Sequence, residues 1–429
     1  MKILLKGGII IDPESKRQEK ADLLIERGKI KKISKNIKAD CKTIDVKNKF
    51  VAPGLIDLHT HLREPGREDE ETIASGTLAG AKGGYTTVCA MPNTKPPIDS
   101  VSGVKYVLTT SAQEGKIRVL PVGAITKERK GNELTEVGKM TKAGIIAISD
   151  DGTSVMNSLV MRRAMEYSKM FNLLIIVHPE DLNLSKDGVM NEGIISTIMG
   201  LKGIPSQAEE IIISRDISLA KLTGCRLHLA HVTTKRSVFL IKEAKQRKLN
   251  ITSEVCPHHL ILTENDVIGY DTNCKVNPPL RTHQDRKALI KALKSGIIDC
   301  VATDHAPHLD VEKSREFELA PYGINGLETA LPSLLTELVE KNHLAFLELI
   351  ERMSLRPAEI LKRKDLGRLK QGARADITVI DRKKEIKITP QFFLSKSKNS
   401  PMLGRKLKGF PVLTIYGGKI AWHAQEIKT

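Results

Sequence analysis

Eight short apolar runs, each followed by a stretch with helical periodicity, are the feature that most restricts how this chain can fold. The first run is "LIDLHTHL", the last is "GIIDCVATDHAPH", and stretches such as "DRKALIKALKSG" carry apolar residues at helical spacing. Eight strand–helix units in succession predict an α/β fold, a (β/α)₈ barrel of the TIM type. The eight runs cover residues 55–62, 86–93, 118–126, 145–152, 173–181, 226–233, 250–259 and 296–308.

The two ends of the chain have a different pattern, in which short apolar runs alternate with turns. "KILLKGGIIID" comes from the first end and "ADITVIDRKKEIKI" from the second. Because chain termini often lie close together, we expect both ends to form one small β-sandwich domain. The predicted division is a β-sandwich of residues 1–52 and 366–429 and a barrel of residues 53–365.

Nearly every unusual polar residue lies at the carboxyl end of one of the apolar runs. In a barrel these ends converge at one face, where active sites are built. Scattered core residues would not repeat this placement on so many strands, so the pattern predicts an active site at that face. The residues concerned are His59, His61, Asn93, Asp151, His178, His231 and Asp304.

His59 and His61 are two positions apart on a predicted strand, so both side chains point to the same side. Imidazole nitrogens held side by side favour a divalent transition metal, most often zinc. Asp304 ends the eighth run, and an unpaired buried carboxylate is costly, so we expect a metal or a proton-transfer role there.

The pattern predicts the side-chain orientation less firmly at two places near these ends. Asp150 and Asp151 are adjacent on a strand end, so only one of them can point into the barrel mouth, and alternation alone leaves the choice open. His228 lies three positions before His231, and on a regular strand it would face the other way, towards the helices.

Composition narrows the classes of partner. The net charge is +17, but the basic residues are scattered and aromatic residues are only 3%, so we expect no nucleic-acid partner; a small anionic substrate fits the charge equally well. No apolar stretch is long enough to span a membrane, and the first residues lack the pattern of a signal peptide. We therefore expect a cytoplasmic enzyme without membrane contact.

Nine motifs in this order closely resemble those of the bacterial dihydroorotases, within the amidohydrolase superfamily, and the resemblance covers essentially the whole chain. It implies a barrel flanked by a β-sandwich, and the reversible, zinc-dependent cyclisation of N-carbamoyl-L-aspartate to L-dihydroorotate in pyrimidine biosynthesis. The motifs are "DLHTHLREPG", "MPNTKPP", "SDDG", "VHPED", "HVTT", "NPPLR", "ATDHAPH", "GINGLETALP" and "GRLKQGARADITVID".

The resemblance also implies a set of metal ligands. Two zinc ions per chain are expected, one held by His59, His61 and Asp304 and the other by His178 and His231. Many superfamily members bridge their metals with a carboxylated lysine on the fourth strand, which this chain lacks. Matching "SDDG" to the family selects Asp151 as the residue that bridges the two metals. The resemblance also implies a bridging hydroxide, and it implies that Asp304 moves the proton.

The substrate carries a carboxylate that does not react, and a planar guanidinium can bind it through two parallel hydrogen bonds. Arg63 follows His61 by two positions and is the predicted partner. By resemblance, Asn93 and His308 share that carboxylate, while Asn277 and the backbone at Tyr322 and Gly323 contact the ring. Residues 309–323 are either a lid over the substrate or a solvated loop.

Three alternative functions remain at this point. A hydantoinase or dihydropyrimidinase is disfavoured by Arg63 and by the missing lysine, whereas an allantoinase is harder to exclude. A non-catalytic homologue that only scaffolds aspartate carbamoyltransferase would lose metal ligands, and here all six positions carry competent side chains. The chain is expected to form a homodimer, and association of an active enzyme with aspartate carbamoyltransferase stays open.

Overall fold

The computed structural model describes residues 2–427. Its amino-terminal segment forms five strands, and the first two bury runs of apolar side chains such as "ILL" in the first strand and "LLI" in the second. Strands β1 and β2 pair antiparallel, and β1 also pairs in parallel with β4 and β5. The strands are β1 (Lys2–Asp12), β2 (Arg17–Glu26), β3 (Lys29–Ser34), β4 (Lys42–Asp45) and β5 (Phe50–Pro53).

The middle of the chain forms eight parallel strands that follow one another in sequence order around a barrel. The last strand approaches the first through pairing of Thr60 with His305, where the His61 N–H donates to the His305 carbonyl (2.9 Å). A separate pair of short strands, β11 (Met190–Asn191) and β12 (Gly203–Ile204), lies outside the barrel. The barrel strands are β6 (Leu55–Thr60), β7 (Tyr85–Ala90), β8 (Arg118–Gly123), β9 (Ala147–Ile148), β10 (Leu174–Val177), β13 (Arg226–Leu229), β14 (Ile251–Val255) and β15 (Cys300–Val301).

Helices cover the outside of the barrel. Several begin with a threonine or serine whose side chain accepts a hydrogen bond from the first turn, as Thr72, Thr234 and Thr282 do. Two π-helical stretches, 335–339 and 351–355, extend the late helices. The helices are α1 (Ile73–Lys82), α2 (Val101–Glu114), α3 (Val137–Ala143), α4 (Ser158–Met170), α5 (Ile194–Met199), α6 (Gln207–Thr223), α7 (Lys235–Gln246), α8 (Pro257–Ile261), α9 (His283–Ser295), α10 (Asp310–Lys313), α11 (Ala330–Leu334), α12 (Phe346–Ile350) and α13 (Arg356–Ile360).

The carboxyl-terminal segment returns to the first sheet. Its strands are β16 (Ile377–Lys387), β17 (Lys406–Tyr416) and β18 (Lys419–His423), and β16 pairs antiparallel with β5. The two ends of the chain therefore share one sheet, hereafter the terminal sheet, and pack around one apolar core that includes Leu23 and Leu413.

The predicted fold class, a barrel with a small β-structure built from both termini, is confirmed. The boundaries assigned to the two domains stay a prediction. No helix among residues 2–427 is both long and apolar enough to cross a lipid bilayer.

Candidate active site at the barrel mouth

Asp57 fixes the end of β6, from which the first two histidines project. Its Oδ1 accepts hydrogen bonds from the backbone N–H of His59 (3.1 Å) and of Thr303 (3.0 Å). The carboxylate thus joins β6 to the segment that follows β15, beside the position of Asp304. Both His59 and His61 are buried at the carboxyl end of the barrel.

The first group of donor atoms comprises two histidines and two aspartates. His59 Nε2 lies 3.1 Å from Asp151 Oδ1 and 3.5 Å from Asp304 Oδ1. His61 Nε2 lies 2.9 Å from Asp304 Oδ1 and 3.5 Å from Asp151 Oδ2. Four side chains from three separate strand ends therefore direct nitrogen and oxygen atoms at one point.

The second group lies on the other side of Asp151. His178 Nδ1 and His231 Nε2 are 2.9 Å apart, and each is 3.7 Å from Asp151 Oδ1. That one oxygen is therefore close to the histidines of both groups. We call the six side chains together the donor cluster: His59, His61, Asp151, His178, His231 and Asp304.

The structure also resolves the choice between the adjacent aspartates. Asp150 turns away from the mouth, and its Oδ1 accepts hydrogen bonds from the N–H groups of Ile125 (2.8 Å) and Thr126 (3.0 Å). Asp151 is the residue that faces the histidines. Asp150 instead fixes the loop after β8, a role that its adjacent position in the sequence could not reveal.

The donor cluster is suited to a metal ion because it contains buried polar atoms without hydrogen-bond partners in the described chain. His59 Nε2 and Asp151 Oδ1 are buried and have no hydrogen-bond partner among residues 2–427. Unpartnered buried polar atoms are costly, and a bound cation would satisfy both. Nitrogen and carboxylate donors at these separations can hold a divalent transition metal.

Charges in the cluster are strongly coupled. Burial alone would lower the pKa of His59, but the negative charges of Asp151 and Asp304 outweigh burial and raise that pKa well above its usual value. In return, His59 and the other histidines of the cluster hold the pKa of both aspartates well below the ordinary range, against the effect of burial. The carboxylates are therefore ionised and ready to bind a cation or accept a proton.

Two glutamates that sequence reasoning missed hold the outer nitrogens of these histidines. Glu254 Oε1 lies 2.9 Å from His59 Nδ1, and Glu180 Oε2 lies 2.8 Å from His178 Nε2. Burial opposes their charge, but contact with the histidines lowers the pKa of each glutamate to about 2. Each glutamate thus fixes one ring so that the opposite nitrogen faces the cluster.

His228 does not face the helices, so that prediction is wrong. Its Nε2 lies 3.0 Å from Glu254 Oε2, and Glu254 also contacts His59 across the barrel interior. The prediction assumed that side chains alternate regularly from His228 to His231. The strand β13 ends at Leu229, however, and His231 has a backbone φ of +32°, so the alternation does not extend to His231. A residue beyond the end of a strand is not bound by the strand's two-residue period.

A cavity of about 190 Å³ opens directly above the donor cluster. Every residue predicted to contact the substrate lines it, and so do five members of the donor cluster. The structure therefore brings the two predicted sets together at one mouth. The lining residues outside the donor cluster include Arg63, Asn93, Asn277, His308, Tyr322 and Gly323.

Arg63 lies at the rim of this cavity, and its side chain is held by the segment that follows the adjacent strand β15. Its Nε donates to the Pro307 carbonyl (3.1 Å), and its Nη2 lies 3.1 Å from His308 Nε2. None of these contacts uses Nη1. Burial lowers the pKa of Arg63, but an arginine stays charged at neutral pH.

The two asparagines each link the cavity to the donor cluster. Asn93 Oδ1 lies 2.8 Å from His61 Nδ1, and Asn277 Nδ2 donates to Glu180 Oε2 (2.9 Å). Tyr322 also lines the cavity, and its hydroxyl donates a hydrogen bond to the Gly188 carbonyl.

Comparison with known proteins identifies the family. A family model described as "Dihydro-orotase-like" matches residues 48–237. A protein named dihydroorotase from Endomicrobium trichonymphae is 51% identical over 98% of this chain and 100% of its own. The chain belongs to the dihydroorotase family. A second relative of that name, from Pelotomaculum thermopropionicum, is 48% identical over the full length of both chains.

Solved structures of similar fold include hydantoinases and dihydropyrimidinases. An L-hydantoinase (dihydropyrimidinase) from Arthrobacter aurescens superposes with a TM-score of 0.89 at 25% identity, over 100% of this chain and 97% of its own. A dihydropyrimidinase from Brevibacillus agri superposes with a TM-score of 0.84 at 22% identity, over 98% and 95%. At this level of identity the likeness concerns the fold.

Proposed function

We propose that this chain is a dihydroorotase, which interconverts N-carbamoyl-L-aspartate and L-dihydroorotate with two zinc ions bound. The observation that carries the proposal is the identity of 51% over 98% of the chain to a protein of that name. The geometry supports it, because an arginine suited to a carboxylate shares a cavity with a set of metal donors. The reaction is a step of pyrimidine biosynthesis.

In this proposal His59, His61 and Asp304 hold one zinc, His178 and His231 hold the other, and Asp151 serves both. The distances around Asp151 Oδ1 and the unpartnered state of that atom support the assignment. A neutral amide is a poor electrophile and neutral water is a poor nucleophile. Bound zinc would polarise the amide carbonyl and lower the pKa of a water molecule.

Asp304 is the group proposed to move the proton. It lies 2.9 Å from His61 Nε2 and lines the cavity, so its carboxylate reaches both the donor cluster and the substrate. A carboxylate must be ionised before it can accept a proton, and Asp304 is ionised because the neighbouring histidines hold its pKa well below the usual range against the effect of burial. In ring opening it accepts a proton from water and passes it to the ring nitrogen; in ring closure it takes the proton from the ureido nitrogen.

Arg63 is proposed to bind the carboxylate that does not react, with Asn93 and His308 beside it. A neutral cyclic amide such as hydantoin or dihydrouracil carries no such group. An arginine held at the cavity rim thus favours dihydroorotate over these rings through charge-assisted hydrogen bonds. Asn277 and the backbone of Tyr322 and Gly323 are proposed to contact the ring.

A panel of substrates tests the proposal. The zinc-loaded protein is assayed on L-dihydroorotate, hydantoin, dihydrouracil and allantoin, and ring opening of dihydroorotate should exceed the others. Asp304→Ala should abolish that activity, whereas Asp310→Ala, an exposed aspartate on α10, should leave it unchanged. Turnover of hydantoin or allantoin without dihydroorotate would overturn the substrate assignment. A protein that binds zinc but turns over none of the four would favour the scaffold alternative.

The predicted homodimer, the cytoplasmic location and association with aspartate carbamoyltransferase stay predictions, and the reaction requires none of them. Light scattering of the purified protein tests the dimer directly. Mixing with aspartate carbamoyltransferase before the same measurement tests the association.

A further inference from the structure

A buried glutamate next to the cavity touches both cationic residues of the mouth. Glu70 is only 2% exposed. Its Oε2 lies 3.0 Å from Arg63 Nε, and its Oε1 lies 2.9 Å from His308 Nδ1. One carboxylate therefore joins two side chains that are far apart in the sequence and meet at the cavity rim. Glu70 belongs neither to the donor cluster nor to the cavity lining.

We propose that Glu70 is a positioning residue that orients Arg63 and His308 towards the unreactive carboxylate of the substrate, and thereby sets selectivity for anionic substrates. The inference rests on the proposed function, since it assumes that Arg63 and His308 bind that carboxylate. It extends the function by naming the group that fixes their geometry.

The orientation follows from which atoms Glu70 occupies. It takes Arg63 on the Nε edge, beside the Pro307 carbonyl, so Nη1 is left out of these contacts. On His308 it accepts from Nδ1–H, which directs Nε2 towards Arg63 Nη2 and the Tyr322 carbonyl (2.8 Å). Arg63 thus keeps Nη1 outside these contacts, while His308 is fixed at both ring nitrogens and holds Arg63 Nη2 in place at the cavity that both residues line.

Electrostatic attraction alone would not place a carboxylate here. A negative charge next to the site repels an anionic substrate, so Glu70 weakens the long-range attraction of Arg63. Its benefit must come from ordering a long, flexible side chain before the substrate arrives. Burial lowers the pKa of Arg63, and the Glu70 charge is the largest effect that opposes this lowering.

An outer ion pair ties the same carboxylate to the segment after β15. Arg67 Nη2 lies 3.0 Å from Glu70 Oε1 and 2.7 Å from Glu312 Oε1, and Glu312 is on α10. Glu312 Oε2 is also 3.7 Å from His308 Nδ1. Glu70 is therefore clamped between Arg67 and the two cavity residues, which limits its own freedom.

Glu70→Gln keeps the size of the side chain but changes the hydrogen-bonding groups that it offers to its neighbours. A carboxylate places one oxygen 3.0 Å from Arg63 Nε and the other 2.9 Å from His308 Nδ1, whereas an amide offers one acceptor and one donor. Glu70→Gln must therefore present an N–H to one of these two donors. Glu68 is the matched control, because it is an exposed glutamate two residues away whose Oε1 accepts only from the Gly66 N–H among the side-chain bonds of the described chain.

The experiment measures steady-state kinetics of zinc-loaded wild type, Glu70→Gln and Glu68→Gln on L-dihydroorotate. We expect Glu70→Gln to raise KM about tenfold or more, the equivalent of one lost charge-assisted hydrogen bond, and to change kcat less than threefold. Competitive inhibition by dihydrouracil, the same ring without the carboxylate, should be unchanged. Glu68→Gln should match the wild type throughout.

Several outcomes would overturn the inference. An unchanged KM, an equal fall in affinity for dihydrouracil, or a loss confined to kcat would each contradict a role in carboxylate recognition. If Glu70→Gln does not fold, Glu70→Asp is used, because its shorter carboxylate cannot reach both partners and should raise KM in the same selective way. In an Arg63→Ala background, Glu70→Gln should add little. Wild-type protein inactive on dihydroorotate would refute the proposed function instead.

Discussion

The terminal sheet and the barrel mouth both bury aspartates, but they treat them differently. In the terminal sheet, Asp22 accepts hydrogen bonds from the backbone N–H groups of Gly7 (2.8 Å) and Ile37 (2.9 Å). At the mouth, Asp151 faces histidines, and its Oδ1 has no hydrogen-bond partner within residues 2–427. The first carboxylate is satisfied by hydrogen bonds to the backbone, whereas the second has charged contacts with histidines and keeps an oxygen available to a cation.

The mouth also holds two of its donor residues in an uncommon backbone conformation. His231 and Asp304 both have positive φ, at +32° and +49°, although neither is glycine. Such conformations cost of order 1–3 kcal/mol each and persist only where the surrounding structure holds them. The contrast between the two regions rests on the buried atoms of His59, Asp151 and His231 at the mouth that lack a hydrogen-bond partner in the part of the chain that the structure describes, which mark it as a binding region. Substitutions in the two regions should differ in kind as well as in size.

The largest effect is expected at Asp304. Asp304→Ala removes the proposed proton acceptor together with one metal donor, and kcat on L-dihydroorotate should fall about 10³-fold or more. Steady-state kinetics at saturating zinc measures the fall. A variant that keeps more than a tenth of wild-type kcat would show that the mouth does not depend on this carboxylate.

Arg63→Ala comes next. The lost charge-assisted hydrogen bonds should raise KM for L-dihydroorotate about 100-fold, with a smaller change in zinc affinity. Arg247→Ala, an exposed arginine at the end of α7, is the control and should behave as wild type. Equal effects on neutral and anionic rings would remove the assigned role from Arg63.

Glu254→Gln should weaken zinc binding without removing a donor. Glu254 holds His59 Nδ1, and loss of such a supporting carboxylate typically costs 10- to 100-fold in metal affinity, so about tenfold or more is expected here. Competition with a chromogenic chelator measures the affinity. Glu385→Gln, on an exposed part of the terminal sheet, should leave it unchanged. Unaltered affinity in Glu254→Gln would mean that His59 is positioned by the backbone alone.

The smallest effect on activity is expected from the terminal sheet. Leu413 is fully buried in its apolar core, and Leu413→Ala should lower the free energy of unfolding by about 2–5 kcal/mol. At a temperature well below the unfolding transition, kcat and KM should stay within about twofold of wild type. Urea unfolding and kinetics on the same sample test both parts. A large fall in kcat would show that the two regions are not separable.

Much of the fold could be predicted because it depends on local patterns. Apolar runs, turn residues and helical spacing identified the eight barrel strands and the shared terminal sheet. The carboxyl ends of parallel strands meet at one face, so His59, His178 and His231 could be placed together without any coordinates.

The rest depends on distances that the sequence does not contain. Adjacent residues such as Asp150 and Asp151 share one local pattern, and only the loop after β8 decides which of them turns inward. Glu254 was missed because its partner histidine lies on another strand, β6, although a charged residue inside the apolar run "NITSEVCPHH" was an available signal. Glu180 lies only two residues after the histidine that it contacts, and the strand pattern does not show that the chain beyond β10 turns its carboxylate back onto that ring. His228 was placed wrongly because regular alternation was extended past the end of β13.

The central claim is that six side chains from five strand ends would hold two cations. Zinc titration of the metal-free protein by calorimetry tests it most directly, with the chain concentration known from amino-acid analysis. We predict two zinc ions per chain for the wild type and for His283→Ala, an exposed histidine on α9, and one for His231→Ala. Two ions retained in His231→Ala, or no tight zinc in the wild type, would contradict the account.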